Sequence, residues 1–152
     1  YFYHPYRVAQ KICYNGGTDE DCIIALLHDV VEDTVGTVEQ ITKMFGERIS
    51  FGVFCLTDSD KSVGNRATRK TIDNLRLASS SPSIQTIKYA DMLDNGPSII
   101  ANDPDFAIVF MKEKTALLEV MNSGDKDLLA KCWEMINTFE AELVVTDDDY
   151  CR

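Results

Sequence analysis

A chain of 152 residues with 45% hydrophobic content is sized for one compact domain with its own core. Its formal net charge of −10 excludes nucleic acid and anionic membranes as broad partners, because phosphate surfaces repel it. It contains no apolar run of about eighteen residues, so no membrane span is predicted. Five cysteines, odd in number and without a Cys-x-x-Cys pair, predict reduced buried thiols in a cytoplasmic protein rather than a disulfide framework. The start at Tyr1, with neither Met nor a leader, predicts a missing N-terminal piece and no secretory signal.

The hydrophobic period is helical almost throughout. Thr18 with Asp21 forms a capping-box pattern opening a helix over 18–33, apolar nearly all round at Cys22, Ile23, Ala25, Leu26 and Leu27 and therefore central. Thr37 with Gln40 opens the next, which Gly46 stops; 47–56 follows, with Ile49, Val53 and Leu56 inward. A loop over 57–64 leads to Asn65, a cap for a helix to residue 78. The Ser79–Ser83 stretch breaks the chain, and Ser83 caps a helix to about residue 95 that Gly96-Pro97 should end. Pro104 begins a helix over roughly 105–121. Gly124 marks a turn, and a last helix runs from 126 to about 143. The expectation is one all-α domain over 1–145 with an acidic tail, 146–152.

Both histidines are drawn into one pattern. His4, His28, Asp29 and Asp91 supply two imidazoles and two carboxylates from three segments, a mixed N/O set suited to a divalent transition metal. His28, Asp29, Glu32 and Asp33 also crowd the C-terminal end of an apolar helix, where the macrodipole disfavours acids unless a cation offsets them. A solvated last turn is the plainer alternative. Open coordination positions generate hydroxide near neutral pH, and Glu32 and Asp33 lie within a turn to orient water or carry its proton. Lys88, Asp91 and Asn95 form one stripe, and neutral Asn95 suits a ribose hydroxyl or phosphate oxygen. Asp94 reads as a surface acid on this spacing.

Lys61, Arg66, Arg69, Lys70 and Arg76 fall within sixteen positions opposed only by Asp73. In isolation this is a solvated face; beside a metal site it reads as an anion-binding strip. The substrate class is then a phosphate ester or anhydride. No glycine-rich phosphate loop is present.

These residues resemble the HD-domain phosphohydrolases, in particular the (p)ppGpp hydrolase branch of the RelA/SpoT and small alarmone hydrolase proteins. The similarity lies in Tyr3-His4-Pro5 with Val8-Ala9, Ala25-Leu-Leu-His-Asp-Val-Val-Glu-Asp-Thr34, Phe45-Gly46, Leu56-Thr57-Asp58 and Lys88-Tyr-Ala-Asp-x-x-x-Asn95, and covers about 1–98. The resemblance implies an HD-domain helical bundle, with Mn2+ held by His4, His28, Asp29 and Asp91 and with Glu32 and Asp33 as the catalytic acids. It implies nucleotide contacts from Asn95 and from Ser98, which replaces the usual Thr, and phosphate contacts from the Lys61–Lys70 stretch. The implied reaction removes the 3′-pyrophosphate of ppGpp, giving GDP or GTP and pyrophosphate, in a stand-alone hydrolase free to self-associate. Alternatives are an HD phosphatase for the NADPH 2′-phosphate or a nucleoside monophosphate, and a nucleotide-binding module without turnover. This chain departs from the family in lacking the preceding helix with its Arg-Lys pair, in Pro97, and in Phe106 and Phe110 where a Tyr is usual.

Overall fold

A computed structural model describes residues 3–149, which hold nine α-helices, a single 3₁₀ turn at Lys61–Val63 and no strand. The helices are α1 Tyr3–Tyr14, α2 Asp19–Leu27, α3 Val30–Asp33, α4 Val38–Phe45, α5 Glu47–Leu56, α6 Arg66–Ala78, α7 Pro82–Asn102, α8 Pro104–Val120 and α9 Lys126–Asp149. The all-α bundle expected from the period is the fold observed.

Local signals explain most boundaries. Both capping boxes form: Thr18 accepts from the Asp21 amide and Thr37 from the Gln40 amide, and each partner side chain returns to the cap backbone. Gly46 separates α4 from α5 at φ 89°, a left-handed conformation that glycine adopts without a Cβ penalty. On α1, His4, Val8 and Ile12 recur every fourth residue and are buried, so the stripe that seats α1 on α2 and α7 also carries His4 inward.

Helix α7 is the central member, and it fixes the far end of the bundle. Its buried Tyr89 donates to the Met121 carbonyl at 2.7 Å, and Gln85 accepts from the Ser123 amide at 2.8 Å. The turn entering α9 sits so close that a Cβ on Gly124 would lie 2.6 Å from Tyr89 Cε2 and 2.9 Å from the Thr86 amide nitrogen.

Five expectations are corrected. The 18–33 helix is two helices, because the His28 ring donates to the Ala25 carbonyl at 2.7 Å and competes with the backbone ladder there. The chain bends through His28 and Asp29, and the ladder restarts with Asp33 donating to the Asp29 carbonyl at 2.9 Å. Helix α7 runs through Gly96-Pro97 instead of stopping. Part of the clash that disfavours a helical residue before proline is with that residue's Cβ, and Gly96 has none. Its cap is Ser81, with Pro82 in the first turn, rather than Ser83. Helix α9 continues beyond 143 to Asp149, and the rest of the acidic tail lies outside the described residues. Finally, Cys13 and Cys22 are joined as a disulfide between α1 and α2, with Cα atoms 5.8 Å apart, while Cys55 and Cys132 are buried thiols. Cys151 lies outside the described residues.

The α2 cap makes a direct stability test. Burial raises the Asp21 carboxyl, but its bonds from Thr18 and the nearby Arg48 outweigh this and hold it below its ordinary 3.8. Thr18→Ala should cost about 1 kcal/mol at neutral pH, seen as a lower urea midpoint at unchanged slope. Because the folded carboxyl is depressed, its share of that stability is present above its unfolded value and is lost as pH falls through the folded one. The penalty should therefore shrink in acid, and an equal midpoint at pH 7 would remove the cap from the account.

Candidate metal and phosphate site

Three elements bring the metal-ligand candidates together. His28 closes α2 and His4 projects from α1, so that their Nε2 atoms face each other 3.2 Å apart. From α7, Asp91 Oδ1 lies 3.2 Å from His4 Nε2 and 3.8 Å from His28 Nε2. Asp29, redirected by the bend after α2, brings Oδ1 to 3.1 Å from His28 Nε2 and Oδ2 to 3.6 Å from His4 Nε2. Ligands around an ion with bonds of about 2.1 Å are separated by roughly 3–3.5 Å, and these donors stand 3.1–3.8 Å apart. One ligand atom from each of His4, His28 and Asp91 lies within 4.8 Å of the other two.

The imidazole anchors reinforce the fit. His28 Nδ1 is held by Ala25 and His4 Nδ1 by Asp94 Oδ2 at 2.6 Å. An oxygen acceptor at each Nδ1 puts the hydrogen there in the neutral ring and leaves each Nε2 a lone pair, the tautomer a metal requires. Asp94 is therefore part of the site and no surface acid: its side chain is 10% exposed and also accepts two bonds from Arg7, each 2.8 Å. Sequence spacing missed it because an i+3 residue lies only about 60° from Asp91, on the flank where α1 crosses.

Without a cation, protons respond to the crowded acids. Burial opposes charge on His4, but bonds to Asp91 and Asp94 prevail and push it up to about 9. His28 moves up as well, burial being outweighed mainly by Asp91. Burial also opposes charge on Asp91, yet Lys88 and the two imidazoles hold it well below the usual carboxylate range. Asp29 and Glu32 are raised, chiefly by burial.

Next to these donors opens a cavity of about 180 Å³ lined by Asp29, Glu32, Asp58, Lys70, Lys88, Asp91, Met92, Asn95, Phe110 and Lys114. Glu32 accepts from the Asp58 amide at 2.8 Å, in a loop that Asp73 of α6 anchors by accepting from the Ser59 amide and hydroxyl. Asn95 donates to Asp91 Oδ1 at 2.7 Å, and Lys88 pairs with Asp91 Oδ2 at 2.8 Å. Lys70 pairs with Asp58. Of the other candidates, Asp33 is exposed at the end of α3 outside the lining, although its charge helps raise Asp29. Lys61 and Ser98 are exposed, Arg66 is paired with Glu113 and stacked on Phe106, and Arg69 donates to the Gly64 carbonyl. None of these four lines the cavity. Lys114, which belongs to no sequence motif, does. Burial and the neighbouring Lys88 push its ammonium down to about 8.

No protein-family model matches the chain. It is 42% identical over 88 residues to a guanosine-3′,5′-bis(diphosphate) 3′-pyrophosphohydrolase of Drosophila melanogaster, covering 57% of this chain and 48% of that protein. The human protein of the same description is 34% identical over 97 residues, covering 62% and 53%. One from Aquifex aeolicus is 38% identical over 96 residues, covering 62% of this chain and 14% of the relative. The match thus spans about half of each animal relative. Among solved structures, a metazoan ortholog of SpoT that hydrolyses ppGpp superposes with TM-score 0.80 at 27% identity, covering 91% of this chain and 80% of that one. A Listeria monocytogenes protein shares the fold at TM-score 0.77 and 21% identity, covering 90% and 94%.

Asp94→Asn should weaken divalent-metal binding about 10- to 100-fold by loosening His4, measured by calorimetric titration. Unchanged affinity would return Asp94 to the surface. Because His4 is protonated below about 9, metal uptake at neutral pH must release its proton. Affinity should rise with pH toward about 9, with His28, also raised, releasing its proton in the same direction.

Proposed function

From the resemblance of this all-α HD-domain bundle to the (p)ppGpp hydrolase branch in sequence and fold, we propose that the chain is a divalent-metal-dependent (p)ppGpp 3′-pyrophosphohydrolase. The reaction gives GDP or GTP and pyrophosphate. The observation that carries this reading is a polar cavity, with Lys70, Lys88 and Lys114 in its wall, that opens directly beside the His-His-Asp cluster.

In the proposed mechanism His4, His28, Asp29 and Asp91 hold the ion, with Mn2+ the proposed metal. A divalent ion there supplies a Lewis acid for phosphoryl oxygen and lowers the pKa of water. Glu32 orients the attacking water and takes its proton, since its raised pKa suits it to proton transfer and the Asp58 amide fixes one of its oxygens. Asp33, one residue on, is the proposed second acid of the pair, acting from outside the lining. Lys70 and Lys88 offset charge growing on the phosphoryl oxygens of the attacked 3′-diphosphate, the ribose 3′ oxygen leaves and takes the proton that Glu32 removed from water, and Asn95 positions a ribose or phosphate oxygen. Lys61, Arg66, Arg69 and Ser98 stand away from the lining; the proposed part of the three cations is long-range attraction, and that of Ser98 a contact with the nucleoside outside the cavity. Residues 1–145 form the proposed catalytic unit, cytoplasmic and free to self-associate.

A panel of ppGpp, pppGpp, ppApp and NADPH with Mn2+, scoring pyrophosphate apart from phosphate, tests the reading. Pyrophosphate release from ppGpp is expected, and phosphate release from NADPH alone would overturn it. Glu32→Gln should keep its metal and slow turnover at least ~100-fold. Loss of the metal in that variant would make Glu32 a ligand or prop.

A further inference from the structure

The cavity holds three lysines in unequal states. Lys88 pairs with Asp91 and Lys70 with Asp58. Lys114 forms no ion pair and no hydrogen bond among the described residues: the Phe110 ring lies 4.9 Å from its ammonium, and Asp91 and Asp58 act on it only at longer range, without offsetting its burial beside Lys88. An ammonium in a recess beside a second ammonium is costly unless an anion answers it. The four lining carboxylates, Asp29, Glu32, Asp58 and Asp91, exceed the three lysines by one charge, and a divalent ion on the donor set reverses that balance.

The cavity is also small, about 180 Å³ against ~300–1,000 Å³ for pockets that enclose a whole ligand. Apart from Met92 and Phe110 its lining side chains are polar or charged, so it suits the phosphate end of a substrate and leaves the base outside. Asp29, Glu32 and Asp91 stand on the α2–α3 and α7 walls, and Lys114 reaches in from α8.

We propose that Lys114 is a phosphate-recognition residue of this site, its ammonium donating to the diphosphate that the metal donors hold from the other walls. The proposal rests on the phosphate-ester reading above and names the residue that gives that substrate class its affinity.

The test compares Mn2+-loaded wild type, Lys114→Met and Lys114→Arg at one fixed free Mn2+ concentration. Calorimetry measures inorganic pyrophosphate binding, and steady-state kinetics follow ppGpp. Lys114→Met should weaken pyrophosphate binding at least ~10-fold and raise KM similarly, with a smaller change in kcat, as expected for loss of a charge-assisted bond. Lys114→Arg should recover most of the affinity, which a purely structural lysine would not require. Pyrophosphate affinity and KM within twofold of wild type in Lys114→Met would overturn the proposal while leaving the hydrolase reading intact. Wild type inert on ppGpp but binding pyrophosphate through Lys114 would support the recognition role and overturn the hydrolase reading instead. Should Lys114→Met not fold, the arginine variant decides: wild-type-like pyrophosphate affinity supports the role, and affinity reduced at least ~10-fold in a folded protein overturns it.

Discussion

Two imidazole Nε2 atoms 3.2 Å apart are the constraint on which the rest of this molecule depends. Lone pairs repel at that distance unless a proton or a metal ion lies between them, and both rings are buried, so water does not screen the encounter. The seam between α1 and α2 exists at this separation because the stripe carrying His4 also carries Val8 and Ile12 into the core. The surrounding polar groups follow from the same pair. Ala25 and Asp94 fix the outer nitrogens, Asp91 answers the inner ones, and Lys88 in turn answers Asp91.

Two local breaches of helical regularity put those groups in register. An uninterrupted helix over 18–33 would have set Asp29 about 100° around from His28, whereas the bend lets both reach the same point. The opposite event occurs in α7, where Gly96 lets the helix pass through Pro97. The element that carries Lys88, Asp91, Asp94 and Asn95 thereby extends past them, with Gly96 packed against Met135 of α9. In both places the deviation follows one side-chain property: a ring hydrogen bond in the first, a missing Cβ in the second.

Legibility in the sequence tracked the range of the interaction. Capping boxes, glycine stops and the helical period act within four or five residues, and they located α4, α5 and α6 closely. The histidine and aspartate donors were legible because a metal demands those residue types. Asp94 and Lys114 were not, since their meaning depends on which helix crosses above them. The Cys13–Cys22 pairing was equally hidden, because the packing of α1 on α2 decides it.

The basic strip shows why charge counted along a chain misleads. Its members are interleaved in sequence but diverge in space: Arg76 turns to Asp73 and the Thr57 carbonyl, Arg66 to Glu113, Arg69 to the Gly64 carbonyl, and Lys70 to the cavity. Arg76 and Asp73 together hold the loop that delivers the Asp58 amide to Glu32. A run that looks like one anion-binding surface is therefore divided: Arg76 helps hold that loop, Lys70 lines the cavity, and Arg66 and Arg69 are engaged elsewhere. Three lysines instead converge from α6, α7 and α8 on one cavity beside the His-His-Asp cluster, in a chain whose net charge is −10.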